Sequence, residues 1–211
     1  MTLGAVILAA GTGSRMREGT EAANKLLCRL GDETLLRRCC RTVESAGFEP
    51  IVVVLGHGAE VLRPEVAEGA LIVVNERYAE GQSTSVARGI DELSASVDGA
   101  VFVPADQAGL DSGTLRRLAD AFRASSSKSI AAPQWRERRG APVLFGRRHF
   151  SALRDLEGDA GGRQILSELE GEVAWVSLDD ELPLLDADTP SALRDVARRL
   201  GCDFSLSGPT V

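Results

Sequence analysis

The sequence predicts one α/β domain, a three-layer α/β/α sandwich built around a mostly parallel sheet. Three observations carry this reading. Seven short apolar runs recur along the chain, they are continuously hydrophobic instead of alternating, and stretches of helical period lie between many of them. A continuous run is the mark of a strand covered by helices on both faces, whereas a half-wet strand alternates apolar with polar. With 211 residues, 44% hydrophobic and 26% charged, the chain suffices for one such core.

The strand candidates are Ala5–Ala10, Ile51–Leu55, Leu71–Val74, Ala100–Val103, Ile130–Ala132, Val143–Phe145 and Val173–Leu178. Helices are expected at Glu33–Ala46, Ser83–Leu93, Ser112–Arg123, Arg163–Leu169 and Pro190–Leu200. The last of these has a legible start, because Thr189 can cap it and Pro190 stands at the first helical position, where a missing N–H costs nothing. Asp111 can cap the helix of Ser112–Arg123 in the same way. From Cys202 to Val211 the periodicity ends and Ser, Gly and Pro collect, so a flexible tail is expected after a single domain spanning 1–201. Within that domain the nucleotide-binding half is expected at about 1–108 and the acceptor-binding half at about 109–201.

Charge and cysteine content narrow the function classes. The formal net charge of −7 gives no global field to attract nucleic acid or an anionic membrane, so any phosphate partner must meet local cations. Cys28, Cys39, Cys40 and Cys202 show no CxxC spacing and read as buried thiols of a reducing compartment. The apolar run at residues 1–10 lacks a basic flank and runs into a glycine loop, and no stretch approaches the ~20 apolar residues of a membrane span. A cytoplasmic protein is expected.

The loop Leu8-Ala9-Ala10-Gly11-Thr12-Gly13-Ser14-Arg15-Met16 follows the first strand. Its glycines let consecutive N–H groups turn toward one centre and form a concavity for anionic oxygens, to which Arg15 adds a fork of donors. A triphosphate tail is the natural guest. The dinucleotide fingerprint would need glycine or alanine at Met16, and the P-loop would need Lys-Ser/Thr after its second glycine; neither fits. Downstream, Asn24-Lys25-Leu26-Leu27 places a lysine against an apolar pair that can anchor it.

These two segments together resemble the signature of the MobA-like nucleotidyltransferases, the molybdenum cofactor cytidylyl- and guanylyltransferases. Further matches follow in family order: Gly81-Gln82-Ser83-Thr84-Ser85, Asp106-Gln107, Arg139-Gly140-Ala141-Pro142-Val143, Gly158-Asp159-Ala160-Gly161-Gly162-Arg163, and Asp186-Ala187-Asp188-Thr189-Pro190. The likeness runs from Ala5 to about Leu200. It implies a Rossmann-like sheet of the nucleotide-diphospho-sugar transferase type, and a reaction in which an acceptor phosphate attacks the α-phosphorus of an NTP and pyrophosphate leaves. Both reactants are anions, so neutralisation and positioning dominate such a step.

By this resemblance Leu8, Ala9, Ala10, Gly11, Thr12, Gly13 and Ser14 line the nucleotide site and the amides of Ala10–Ser14 cradle the phosphates. Arg15 neutralises the leaving pyrophosphate, and Lys25 sits near the α-phosphate or ribose. Gly81, Gln82, Ser83 and Ser85 read the base, although either serine could simply cap the following helix. Asp106 and Asp188 are the expected ligands of Mg²⁺, which takes one or two protein carboxylates beside substrate phosphates. An aspartate in a turn, or one facing a helix dipole, is the structural alternative for each. Arg139 and Arg163 are expected to hold the phosphate of the acceptor.

The family's guanylyl branch carries two glycines where this chain has Ala9-Ala10-Gly11. An added methyl at Ala10 would leave less room beside the base, so CTP is expected over GTP. The favoured acceptor is Mo-molybdopterin, with a molybdenum hydroxylase as recipient of the product. Ala108, Ala141 and Arg17 depart from the family pattern, and Ala141 replaces a hydrogen-bonding residue in the acceptor half. A cytidylyl- or guanylyltransferase for another phosphorylated small molecule is therefore the alternative, and a non-catalytic cofactor carrier is the third reading.

Overall fold

A computed structural model describes residues 1–13, 24–159 and 163–206. In chain order its elements are β1 (Leu3–Ala9), β2 (Arg29–Leu30), β3 (Glu33–Thr34), α1 (Leu35–Ser45), β4 (Ile51–Leu55), α2 (Ala59–Leu62), β5 (Leu71–Val74), α3 (Gln82–Glu92) and β6 (Gly99–Pro104). There follow α4 (Ser112–Ala124), β7 (Ile130–Trp135), β8 (Arg138–Arg139), β9 (Val143–Gly146), α5 (Phe150–Arg154), α6 (Arg163–Glu168), β10 (Val173–Ser177), α7 (Pro190–Leu200) and β11 (Phe204–Ser205).

The main sheet runs β10-β7-β9-β6-β1-β4-β5, with β8 added to β7. β1 pairs in parallel with both β4 and β6, and β9 is antiparallel to both its neighbours. All seven expected strands are present. Their side chains divide between two cores: Leu3, Ala5, Ile7 and Ala9 of β1 pack with α1, α4 and α7, whereas Val6 packs with α3, α5 and α6. A period of two in a strand buried on both faces produces this division, and it is why the runs carry no polar alternation.

The five expected helices form, and the capping assignments hold. Thr189 Oγ1 accepts from the Ala192 amide at 3.2 Å, and Asp111 Oδ1 from the Thr114 amide at 2.9 Å. At α1 the cap is Thr34, so the helix begins at Leu35 and not at Glu33, which pairs in β3.

Two features differ from the sequence reading. β7 continues past Ala132 to Trp135 and turns into β8, and the first part of the expected tail is packed: Phe204 and Ser205 pair antiparallel with Leu30 and Arg29. A three-strand ribbon of two-residue strands carries no periodicity to read, and only the meeting of residues 29–34 with residues 204–205 creates it. Cys28, Cys39 and Cys40 are buried free thiols, as expected, while Cys202 is half-buried. Among the described residues no helix is long and apolar enough to cross a membrane.

Candidate active site

The parallel pairing of β1 with β6 places the loops at their carboxyl ends side by side. Leu8 is in register with Pro104, and the Ala105 amide donates to the Leu8 carbonyl at 3.1 Å. The chain goes from β1 to β4 on one side and later to β6 on the other, and such a reversal is where open α/β sheets hold ligands. A third segment joins them when the Ala187 amide donates to the Asp106 carbonyl at 2.8 Å. Residues from all three segments line a cleft of about 640 Å³.

Lys25 is the centre of this meeting. Its Nζ lies 2.5 Å from Asp106 Oδ2 and 2.9 Å from Asp188 Oδ1, although the residues stand 81 and 163 positions apart in the chain. Burial works against the Lys25 charge, but the two carboxylates outweigh it and hold its pKa above the ordinary lysine value. Two carboxylate oxygens converging on one cation form a hard donor set, which suits a divalent ion that fills its remaining positions with water or phosphate. Among the described residues no group of three or more His, Cys, Asp or Glu is placed to hold a metal.

Leu8, Ala9, Ala10, Gly11, Thr12 and Gly13 line the cleft, together with Gly81, Gln82 and Ser85. Ser14 and Arg15, and the side chain of Arg163, lie outside the described residues. Ser83 departs from its expected role. It is buried, does not line the cleft, and its amide donates to the Gly158 carbonyl at 3.1 Å. Neither serine caps α3: the cap is Gly81, with no side-chain bond, and Ser85 Oγ accepts from Asn75 at 2.9 Å. Gly81 is required here, since its φ is 122° and a Cβ would come within 2.2 Å of the Gly158 backbone.

The Ala10 methyl belongs to the core, at a site where a Cβ on Gly56 would come within 2.8 Å of it. Ala10 also lines the cleft. In the second half of the chain, β8 exposes two arginines with opposite aims. Arg139 pairs with Glu170 at 2.8 Å and stacks 4.2 Å from the Trp175 ring, whereas Arg138 donates to the Leu184 carbonyl at 3.1 Å and lies near Asp186. Both line the cleft, whose walls also include Phe102 and Val143.

Asp186 went unassigned in the sequence reading. Burial, and then the Asp106 and Asp188 carboxylates, push its carboxyl up to about 6. The signal was available, because residues two apart on an extended segment face the same side. Gln107 was also passed over. It is buried, donates to the Ala141 carbonyl at 2.8 Å, and so joins the Asp106 loop to the turn before β9, while its Oε1 has no partner.

Residues 5–173 match the MobA-like NTP transferase domain. The chain belongs to this family. A crystal structure of Rv0371c from Mycobacterium tuberculosis superposes on the transferase with a TM-score of 0.80 and 28% identity, covering 94% of this chain and 98% of that one. A structure described as a complex of Rv0371C with manganese has a TM-score of 0.78 and 26% identity, over 94% and 99% of the two chains. Among curated proteins, the bifunctional protein GlmU of Kineococcus radiotolerans is 29% identical over 94% of the transferase and 38% of its own length. The bifunctional IPC transferase and DIPP synthase of Rubrobacter xylanophilus is 44% identical over 40% of the transferase and 20% of its own length. The transferase thus spans well under half of these curated relatives.

Proposed function

We propose that the protein is a nucleotidyltransferase that joins CMP from CTP to the phosphate of Mo-molybdopterin and releases pyrophosphate, with Mg²⁺ held by Asp106 and Asp188. The observation that carries this reading is the convergence of Asp106 and Asp188 on one cationic group, Lys25, beside the Gly11–Gly13 loop. A divalent ion bound by the two aspartates would neutralise phosphate charge and orient the α-phosphorus. The relative crystallised with manganese supports the class of ion.

The residues of the chain supply the rest. The loop Ala10–Gly13 offers its backbone to the triphosphate. Lys25, held as an ammonium between two carboxylates, is placed to follow the α-phosphate as negative charge grows on its oxygens. Gly81, Gln82 and Ser85 form the wall proposed for the base, and Arg139 and Arg163 are proposed to hold the acceptor phosphate. The two halves, about 1–108 and 109–201, then each bring one reactant to the cleft. The reduced cysteines agree with a cytoplasmic enzyme, and a molybdenum hydroxylase is the proposed recipient of its product.

A second reading keeps the chemistry and changes the reactants: GTP in place of CTP, or a sugar or polyol phosphate as acceptor. Ala141 favours the change of acceptor, since its position in the cleft wall carries no hydrogen-bonding side chain. The test is pyrophosphate release by the pure protein with Mg²⁺, with CTP and GTP in separate arms, against Mo-molybdopterin, a hexose 1-phosphate and an inositol phosphate. Turnover with a sugar or polyol phosphate alone replaces the molybdopterin reading. Silence in every arm leaves the carrier reading.

A further inference from the structure

We infer that Asn24 is a positioning residue for Lys25: its side-chain amide ties the Lys25 turn to the loop after β4, and that tie sets where the ammonium arrives. The inference rests on the reading of Lys25, Asp106 and Asp188 as the reaction centre. Asn24 is only 3% exposed, and both ends of its amide are used. Oδ1 accepts from the Leu26 amide at 3.0 Å, and Nδ2 donates to the His57 carbonyl at 3.1 Å, 33 residues away.

The two bonds do different work. Capping the short turn Lys25–Leu27 needs only the acceptor, which Ser, Thr or Asp would supply equally well. The donor to His57 is what asparagine adds. The His57 amide in turn donates to the Ala10 carbonyl at 3.2 Å, so one loop fastens the Lys25 turn to the base of the phosphate-binding loop. Space around the tie is closed. A Cβ on Gly58 would stand 3.3 Å from Asn24 Nδ2, and one on Gly13 would stand 3.0 Å from Lys25 Cγ. The lysine stem therefore leaves a fixed backbone and runs along Gly13, which is how a flexible four-carbon chain reaches two carboxylates without many alternative rotamers.

Lys25 and Lys128 are the two lysines of the chain, which gives a direct readout that needs no substrate. Asn24→Ser keeps a neutral cap and removes the donor, while Gly58→Ala crowds the same bond from the opposite side and forces a side chain onto a φ of 70°. Acylation of each lysine is followed by mass spectrometry, with Lys128 as internal reference. Loss of one net hydrogen bond should speed acylation of Lys25 roughly threefold to tenfold relative to Lys128 in each variant. In steady-state pyrophosphate release, Asn24→Ser should lower kcat by a similar factor with little change in nucleotide KM.

Wild-type protection of Lys25 in either variant that keeps the wild-type circular dichroism spectrum overturns the inference, as does a fall confined to KM. Lys25→Gln is measured alongside. Full turnover in that variant refutes the reaction-centre reading, whereas an inactive Lys25→Gln beside a wild-type-like Asn24→Ser refutes only the positioning role.

Discussion

The amide of Ala187 donates to the carbonyl of Asp106 at 2.8 Å, and this one backbone bond brings the Asp186–Asp188 segment against the end of β6. Asp188 reaches the cation of Lys25 because of it. The metal site proposed for the protein is thus assembled by main-chain pairing between segments that are 81 residues apart, and it depends on side chains only for its last contact.

Asp106→Asn should leave the fold intact and reduce nucleotide-dependent pyrophosphate release by roughly a hundredfold or more, the scale seen when one preorganised charge contact to a transition state is lost. Circular dichroism and a steady-state assay over a Mg²⁺ series check it. Unchanged turnover would remove Asp106 from the reaction centre.

Lys25→Met should destabilise the protein by about 1–3 kcal/mol, because it removes the cation from two part-buried carboxylates. Mg²⁺ or Mn²⁺ should restore part of the loss. Thermal melts of both proteins, with and without the ions, would show a larger rise for the variant than for the wild type. An equal rise in both would mean that the ions bind elsewhere.

Gly81→Ala should cost about 2–4 kcal/mol, since it combines a side chain at a φ of 122° with a clash against the Gly158 backbone. The displaced loop lines the proposed base wall, so nucleotide affinity should fall as well. Denaturant unfolding and calorimetric titration with CTP separate the two effects.

Arg139→Gln tests whether this guanidinium serves the acceptor or the wall. Its Glu170 partner is mostly exposed, so the ion pair and the Trp175 stack together should contribute no more than about 1 kcal/mol to stability. A role in binding phosphate predicts a rise of roughly tenfold or more in acceptor KM instead. A stability loss with unchanged KM would assign Arg139 to the Trp175 wall alone.

Stability should also fall in acid through His149. Burial depresses its folded-state pKa below the ordinary 6.5, although Glu172 pulls the other way and Arg148 adds to the depression. The folded protein therefore favours the neutral ring. The stability from this group is complete above pH 6.5 and is lost as the pH falls through the depressed value. His149→Gln, which can still hydrogen-bond Ser129, should flatten that part of the curve, measured as the difference between variant and wild-type melting temperatures from pH 7.5 to 4.5.

The fold was largely legible because its signals are local. Val52, Val53 and Val54 are fully buried, as a continuous apolar run requires, and Thr189-Pro190 supplies the start of α7 from two adjacent residues. The site was legible as a set of candidate residues and not as an arrangement. Lys25, Asp106 and Asp188 could be picked by chemistry, and the spacing of Asp186 from Asp188 was a usable signal, whereas the role of Gln107 comes only from the carbonyl it meets in space. Ser83 shows the same dependence: in the folded chain its amide is used by the Gly158 carbonyl, a partner 75 residues away.

By itself, the sequence determined which stretches become strands and helices, where their caps lie, and which residue types are available to meet phosphate and metal, because periodicity, capping and charge act over a few residues. Only the tertiary structure decided that Lys25 stands between Asp106 and Asp188, that Arg138 and Arg139 part to different neighbours, and that residues 204–205 close a small sheet. Those are contacts between distant segments. Strand pairing, parallel in the main sheet and antiparallel at β8 and β11, fixes them when it sets distant segments side by side, and no local pattern encodes the register in which that happens.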